Sequence, residues 1–145
     1  MPMITLTLPH GTLDETGLAE IQATLSRTLL KWEGAPDTEF FRAQTWCRID
    51  EVPAGRFAAH GDQQPRFRVD ATVPQGALSD RRKERLIVEV TDQVLHAAGL
   101  TDADALAVWV LIHEQPEGTW GAGGHVVRFA DLKAVAQPQR SATTS

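Results

Sequence analysis

One stretch occurs twice in this chain, and the repeat limits the folds open to it more than any other feature. Trp46 to Gly61 reads WCRIDEVPAGRFAAHG, and Trp109 to Gly124 reads WVLIHEQPEGTWGAGG. At an offset of 63 they agree at seven of sixteen positions. Phe57 against Trp120 adds an aromatic match. Further back, LPHGTL (Leu8 to Leu13) lies over VPQGAL (Val73 to Leu78) at an offset of 65. The two-residue difference falls in the connector between helix and second strand. A repeat of this length sets the architecture before any local reading. The chain is two units, 2–64 and 65–136, each a strand, a helix, a strand and a Gly-rich turn.

The local patterns agree with that division. Ile4, Leu6 and Leu8 alternate with Thr5 and Thr7, the period of a half-covered strand. Thr12 or Asp14 is placed to cap a helix whose stripe is Leu18, Ile21, Leu25 and Leu29. Gly34 stops it. A second strand is expected from about Arg42 to Glu51, and a third over Arg66 to Val73. Ser79 caps a second helix with Leu86, Val90 and Val94 as its stripe, ended by Gly99. A last strand is expected over Leu106 to Glu114, with Leu106, Val108, Val110 and Ile112 inward. The polar stretch 137–145 holds Pro138 and no apolar anchor, and reads as a disordered tail. The expected fold is α/β (α+β in some schemes). Tandem βαβ units form a four-stranded sheet with two helices on one face, in a single domain over 1–136.

The sheet's other face should carry Trp46, Arg48, Asp50, Arg68, Asp70, Trp109 and His113. A face with two tryptophans among charges is not an ordinary solvent face, so a second subunit is expected to cover it. The net charge of −5 argues against a nucleic-acid footprint. Aliphatic runs are too short for a membrane span. No leader is read at the start, and the single cysteine, Cys47, fits a reducing cytoplasm.

Met1-Pro2 running straight into a strand, the duplication, and the turn Gly118-Thr119-Trp120-Gly121-Ala122-Gly123-Gly124 together resemble the tautomerase superfamily. The similarity is to the 4-oxalocrotonate tautomerase type, with two short units fused. It covers residues 2 to about 135. It implies that Met1 is removed and that the Pro2 amine is general base and acid on a small enol or keto acid. It implies Trp120 as an aromatic lining the site, with Phe57 its counterpart in the first unit. It also implies a homotrimer and no cofactor. The same proline could instead serve a hydratase, dehalogenase or decarboxylase, or the fold could persist in a non-catalytic oligomeric binding protein. Two departures stand out. Trp46 and Trp109 occupy the second-strand place of the family's arginine, and Thr12 and Ala77 the place after the first turn. Phe67 stands where the second unit would have its proline.

The proline's chemistry has a physical basis. An ordinary α-amino group titrates near pH 8, and burial beside aromatics lowers that value toward neutrality. Such an amine suits proton abstraction next to a carbonyl. The plain alternative is a proline that begins a strand, where its missing N–H costs nothing. Arg48 and Arg68, on the covered face, are candidates to hold a carboxylate, with Arg66 beside them and Arg56 in the turn before Phe57. Their alternative is structural pairing with Asp50 or Asp70. Trp109 and His113 share that face. His113 and His10 are weaker acid–base candidates. The histidines lack metal-ligand spacing, so no metal site is read. The GAGG run opens no long helix and has no Lys-Ser/Thr after it, which argues against nucleotide binding.

Overall fold

The computed structural model describes the backbone of residues 1–144 and the side chains of residues 1–138. The first unit runs β1 (Met3–Pro9), α1 (Glu15–Glu33), a short α2 (Glu39–Ala43) and β2 (Trp46–Val52). The second runs β3 (Phe67–Pro74), α3 (Asp80–Ala97), a 3-10 turn (Asp102–Ala107) and β4 (Val108–Gln115). A hairpin of β5 (Gly121–Ala122) and β6 (His125–Val126) and then α4 (Phe129–Thr144) close the chain.

Period-two patterning builds the sheet. Its order is β2-β1-β3-β4, with β1–β2 and β3–β4 parallel and the central β1–β3 pair antiparallel. Ile4, Leu6, Leu8, Val69, Ala71 and Val73 point to one side and are fully or almost fully buried. The helices cover that side. Leu25 and Leu29 of α1 and Leu86 and Val90 of α3 complete one shared core. Each such side chain contributes about 1.5–3 kcal/mol by leaving water. The expected caps are present: Asp14 accepts from the Gly17 amide at 2.7 Å and Ser79 from the Arg82 amide at 3.3 Å. Each is worth about 1 kcal/mol. Gly34 and Gly99, 65 apart, both turn the chain with positive φ (75° and 69°) after the helices. Lys31 and Trp32 of α1 both donate to Glu89 of α3 at 2.6 Å, fastening the two helices together.

Three expectations are corrected. Arg42 is not in a strand: Thr38 accepts from the Phe41 amide and starts α2, so β2 begins only at Trp46. Leu106 is not inward. Thr101 and Asp104 form a capping box that winds 102–107 into a 3-10 turn, leaving Leu106 91% exposed and β4 beginning at Val108. The backbone of 137–144, expected to be disordered, continues α4; residue 145 lies outside the described residues. Ala136 of this helix packs with Leu30 and Phe41.

The open face of the sheet carries the residues expected of it. Trp46 and Trp109 are 65% and 68% exposed. The charges between them pair within the face: Arg48 with Asp50 at 2.7 Å, Arg68 with Asp70 at 2.8 Å, and the His113 ring with Asp70 at 2.7 Å.

Candidate functional site

Pro2 is buried just before β1, and its carbonyl accepts from the Trp46 amide at 3.1 Å. That bond fixes the terminus against the start of β2. The Gly-rich turn reaches the same place from the second unit. Gly123 and Gly124 have φ of 60° and 81°, as a two-residue hairpin turn requires, and bring β5 and β6 together. The Val127 amide donates to the Trp120 carbonyl at 2.8 Å, and Gln115 donates to the Thr119 hydroxyl at 2.8 Å, so the turn is anchored on both sides. The result is a cavity of about 490 Å³ whose wall includes Pro2, Trp46, Thr72, Gln115 and Trp120. Thus Pro2 and Trp120, from different units, meet in one site.

A related cavity of about 260 Å³ lies at the same place in the second unit. Phe67 stands there for Pro2, Trp109 for Trp46, and Phe57 for Trp120. Phe57, Trp109 and Arg68 therefore belong to this second cavity and not to the one at Pro2. Arg66 also lines it, but it is tied to Asp62 at 2.7 Å. Arg56 is exposed in its turn and lines neither cavity. Arg48 and His113 lie on the open sheet face, outside both. His10 bonds Glu51 at 3.2 Å, away from Pro2's cavity.

Within one protomer the wall of the Pro2 cavity has no ionisable side chain among the described residues. Beside the indole N–H groups of Trp46 and Trp120, its polar side-chain groups are the amides of Gln44 and Gln115 and the hydroxyls of Thr72 and Thr119. Sequence reasoning did not single these out, because an isolated neutral side chain carries no signal of chemistry. Met1 lines this cavity too, and its ammonium meets Glu33, at the end of α1. The Glu33 carboxylate lies 3.6 Å from the Met1 ammonium, with side chains 8% and 16% exposed respectively. Burial pulls the Met1 amine below its ordinary value of 8.0, although Glu33 opposes this. Burial likewise pushes the Glu33 carboxyl up, against the pull of the ammonium. Cys47 packs against the core, and burial pushes its thiol up to about 11, despite a hydrogen bond to Ser26, so it is a poor nucleophile. Among the described residues no three His, Cys, Asp or Glu side chains converge as metal ligands, and no helix is long and apolar enough to cross a membrane.

A family model described as Tautomerase enzyme matches residues 68–130, which is most of the second unit. No curated protein sequence matches the chain. Among solved structures, a fused 4-oxalocrotonate tautomerase, an asymmetric trimer, superposes with a TM-score of 0.73 at 19% identity, over 92% of this chain and 98% of that one. A member of the cis-3-chloroacrylic acid dehalogenase family gives 0.73 at 18%, over 96% and 99%. A macrophage migration inhibitory factor from Oncomelania hupensis gives 0.71 at 12%, over 99% and 94%. The first of these has the two-unit organisation deduced from the repeat.

Proposed function

We propose, for a chain with the fused two-unit tautomerase fold and a second unit that matches that family in sequence, an enzyme that moves a proton on a small enol or keto acid. Removal of Met1 would free the Pro2 secondary amine, which acts as base and then as acid. The observation that carries this reading is the meeting of Pro2 and Trp120 in one cavity built across the two units. Burial at the terminus lowers an amine toward neutral pH, where it can both take and return a proton. The tryptophans give an unsaturated substrate flat apolar walls. The amides and hydroxyls can hold an enol or carbonyl oxygen.

The cavity's neutral wall bears on substrate and assembly together. A carboxylate would find no cationic side chain on it within a protomer, among the described residues. A neighbouring subunit seated on the open sheet face could supply one, since Arg48 is 71% and Arg68 47% exposed there. We therefore read the protein as a homotrimer, like the fused 4-oxalocrotonate tautomerase named above, which is a trimer, with Arg48, Arg68 or Arg56 completing the site of an adjacent subunit. The same proline could serve hydration, dehalogenation or decarboxylation of a related acid.

The burial of the Met1 ammonium against Glu33 favours one second reading, an oligomeric binding protein whose terminus stays sealed. Intact mass of the native protein separates the two. A Pro2 terminus and turnover of enols such as phenylenolpyruvate support the enzyme. A retained Met1 supports the binding protein.

A further inference from the structure

Glu33 stands where a carboxylate is poorly tolerated. Its side chain is 8% exposed. It ends α1, where the helix dipole is negative and disfavours an anion. One of its oxygens, Oε2, is buried with no hydrogen-bond partner among the described residues. Two cations face it from other elements, and neither forms an ion pair with it. Arg82 of α3 reaches the Glu33 backbone carbonyl at 3.5 Å and lies over Gly34. Lys133 of α4 lines the same cavity of about 450 Å³. From the β-strand side, Pro2's own cavity contributes no ionisable side chain. Among the described residues, the one charge paired with the carboxylate is the amino terminus, at 3.6 Å.

We propose that Glu33 is the counter-ion of the mature amino terminus, a positioning residue that fixes where the Pro2 amine points and at what pH it gives up its proton. This rests on the proton-transfer reading for its role in turnover, but not for its test. Loss of Met1 moves the amine back by about one residue spacing, ~3.8 Å. It leaves the space of one residue between the new amine and the Glu33 carboxylate, whose Oε1 faced the Met1 ammonium. Such a space is polar enough to hold water, and a bridging water transmits the contact almost as well as a direct bond. Burial and Glu33 then act in opposite directions on the amine, so the carboxylate sets how far its titration falls.

The test needs no substrate. The chain is prepared with Pro2 first and with ¹⁵N-proline and ¹³C-glutamate labels, and the Pro2 nitrogen is titrated by NMR. In Glu33→Gln the amine should titrate about one pH unit lower than in the parent, the low end for loss of a neighbouring opposite charge. Glu33→Asp, which keeps the carboxylate, should recover most of that difference. An unchanged titration in folded Glu33→Gln overturns the proposal. Should that variant not fold, the parent decides: the Glu33 carboxyl carbon must show a step at the pH where Pro2 titrates, and its absence overturns the proposal. Native protein that retains Met1 overturns it as well. Failure to turn over enols, with the titration shift present, rejects the enzymatic reading alone.

Discussion

Thr5 stands opposite Asp70 where β1 and β3 pair, and Asp70 occupies Thr5's own place in the second unit. A residue paired with its own counterpart marks a two-fold axis, so the two units are related by rotation about the centre of the sheet. The neighbouring pairs obey the same axis: Ile4 faces Ala71, the counterpart of Leu6, and Leu6 faces Val69, the counterpart of Ile4. The rotation also explains why each Gly-rich turn serves the opposite unit. Trp120 crosses to Pro2, and Phe57 crosses to Phe67. Neither unit completes its own cavity, so each cavity needs both units.

The first prediction concerns Pro2. It precedes the strand, and only its carbonyl is bonded, to the Trp46 amide, so Pro2→Ala should fold and assemble as the parent does. Once processed it keeps a primary amine in nearly the same place. Turnover of an identified enol should still drop about 10²-fold or more, the scale for a positioned acid–base group. A chain that retains Met1 should be inactive, its Pro2 nitrogen being an amide. Parent-like turnover by Pro2→Ala would reject the mechanism and leave the fold untouched.

The second prediction separates the two cavities. Trp120→Ala removes a wall of the Pro2 cavity and should lower kcat/KM by about tenfold or more, equal to roughly 1.4 kcal/mol. Phe57→Ala alters only the cavity at Phe67 and should leave kcat/KM within about threefold, less than 0.7 kcal/mol on the same scale. Steady-state kinetics on one enol substrate compares them. Equal losses in two folded variants would mean that the cavities are coupled or that the Pro2 cavity is not the site.

Much of the fold was legible because the sequence states it twice. Period-two alternation exposed the buried faces of β1 and β3, and the caps Asp14 and Ser79 stand 65 residues apart. The misses have physical causes. Leu106 continues the alternation of β4, but the Thr101–Asp104 capping box takes its backbone first. Arg42 looks like a strand residue until the Thr38 cap winds it into α2. The pairing of Pro2 with Trp120 followed from the resemblance. Whether an arginine serves the site, and which, did not, because Arg48 and Arg68 sit on a face that a single chain leaves open. Glu33 carried no motif: the chain terminus brings its partner to it, not a spacing along the helix.

The third prediction is a pH dependence of stability. Burial opposes ionisation of Asp70, but hydrogen bonds and charge from Arg68 and His113 outweigh it and hold the carboxyl below its ordinary 3.8. A group depressed by folding stabilises the native state above its unfolded value and loses that contribution as pH falls through its folded value. Asp70→Asn should therefore unfold at lower denaturant than the parent near neutral pH. The gap should close as pH drops from about 4 downward. Urea melts across that range measure it. A constant gap would show that Asp70 acts by packing and not by charge.

The last prediction joins the open face to substrate binding. Trp46 and Trp109 are too exposed for a lone chain, and Arg48 stands 71% exposed among them with Asp50 as its partner. In a trimer that face would meet a neighbour, and Arg48 could turn from Asp50 toward that neighbour's neutral cavity. The expected outcome is specific to acids. Arg48→Ala should raise KM for a carboxylate-bearing enol about tenfold or more, matching the roughly 1.5–3 kcal/mol of a charge-assisted hydrogen bond. For an enol ester of the same size the change should be small, because no anion is there to hold. Sedimentation must show the variant still trimeric, since a lost interface would lower activity on both substrates alike. A trimeric Arg48→Ala protein with unchanged kinetics on the acid removes Arg48 and leaves Arg68 and Arg56 to be tested in the same way. A parent protein that sediments as a stable monomer at micromolar concentration would defeat the assembly argument itself. The neutral cavity would then point to substrates without a carboxylate.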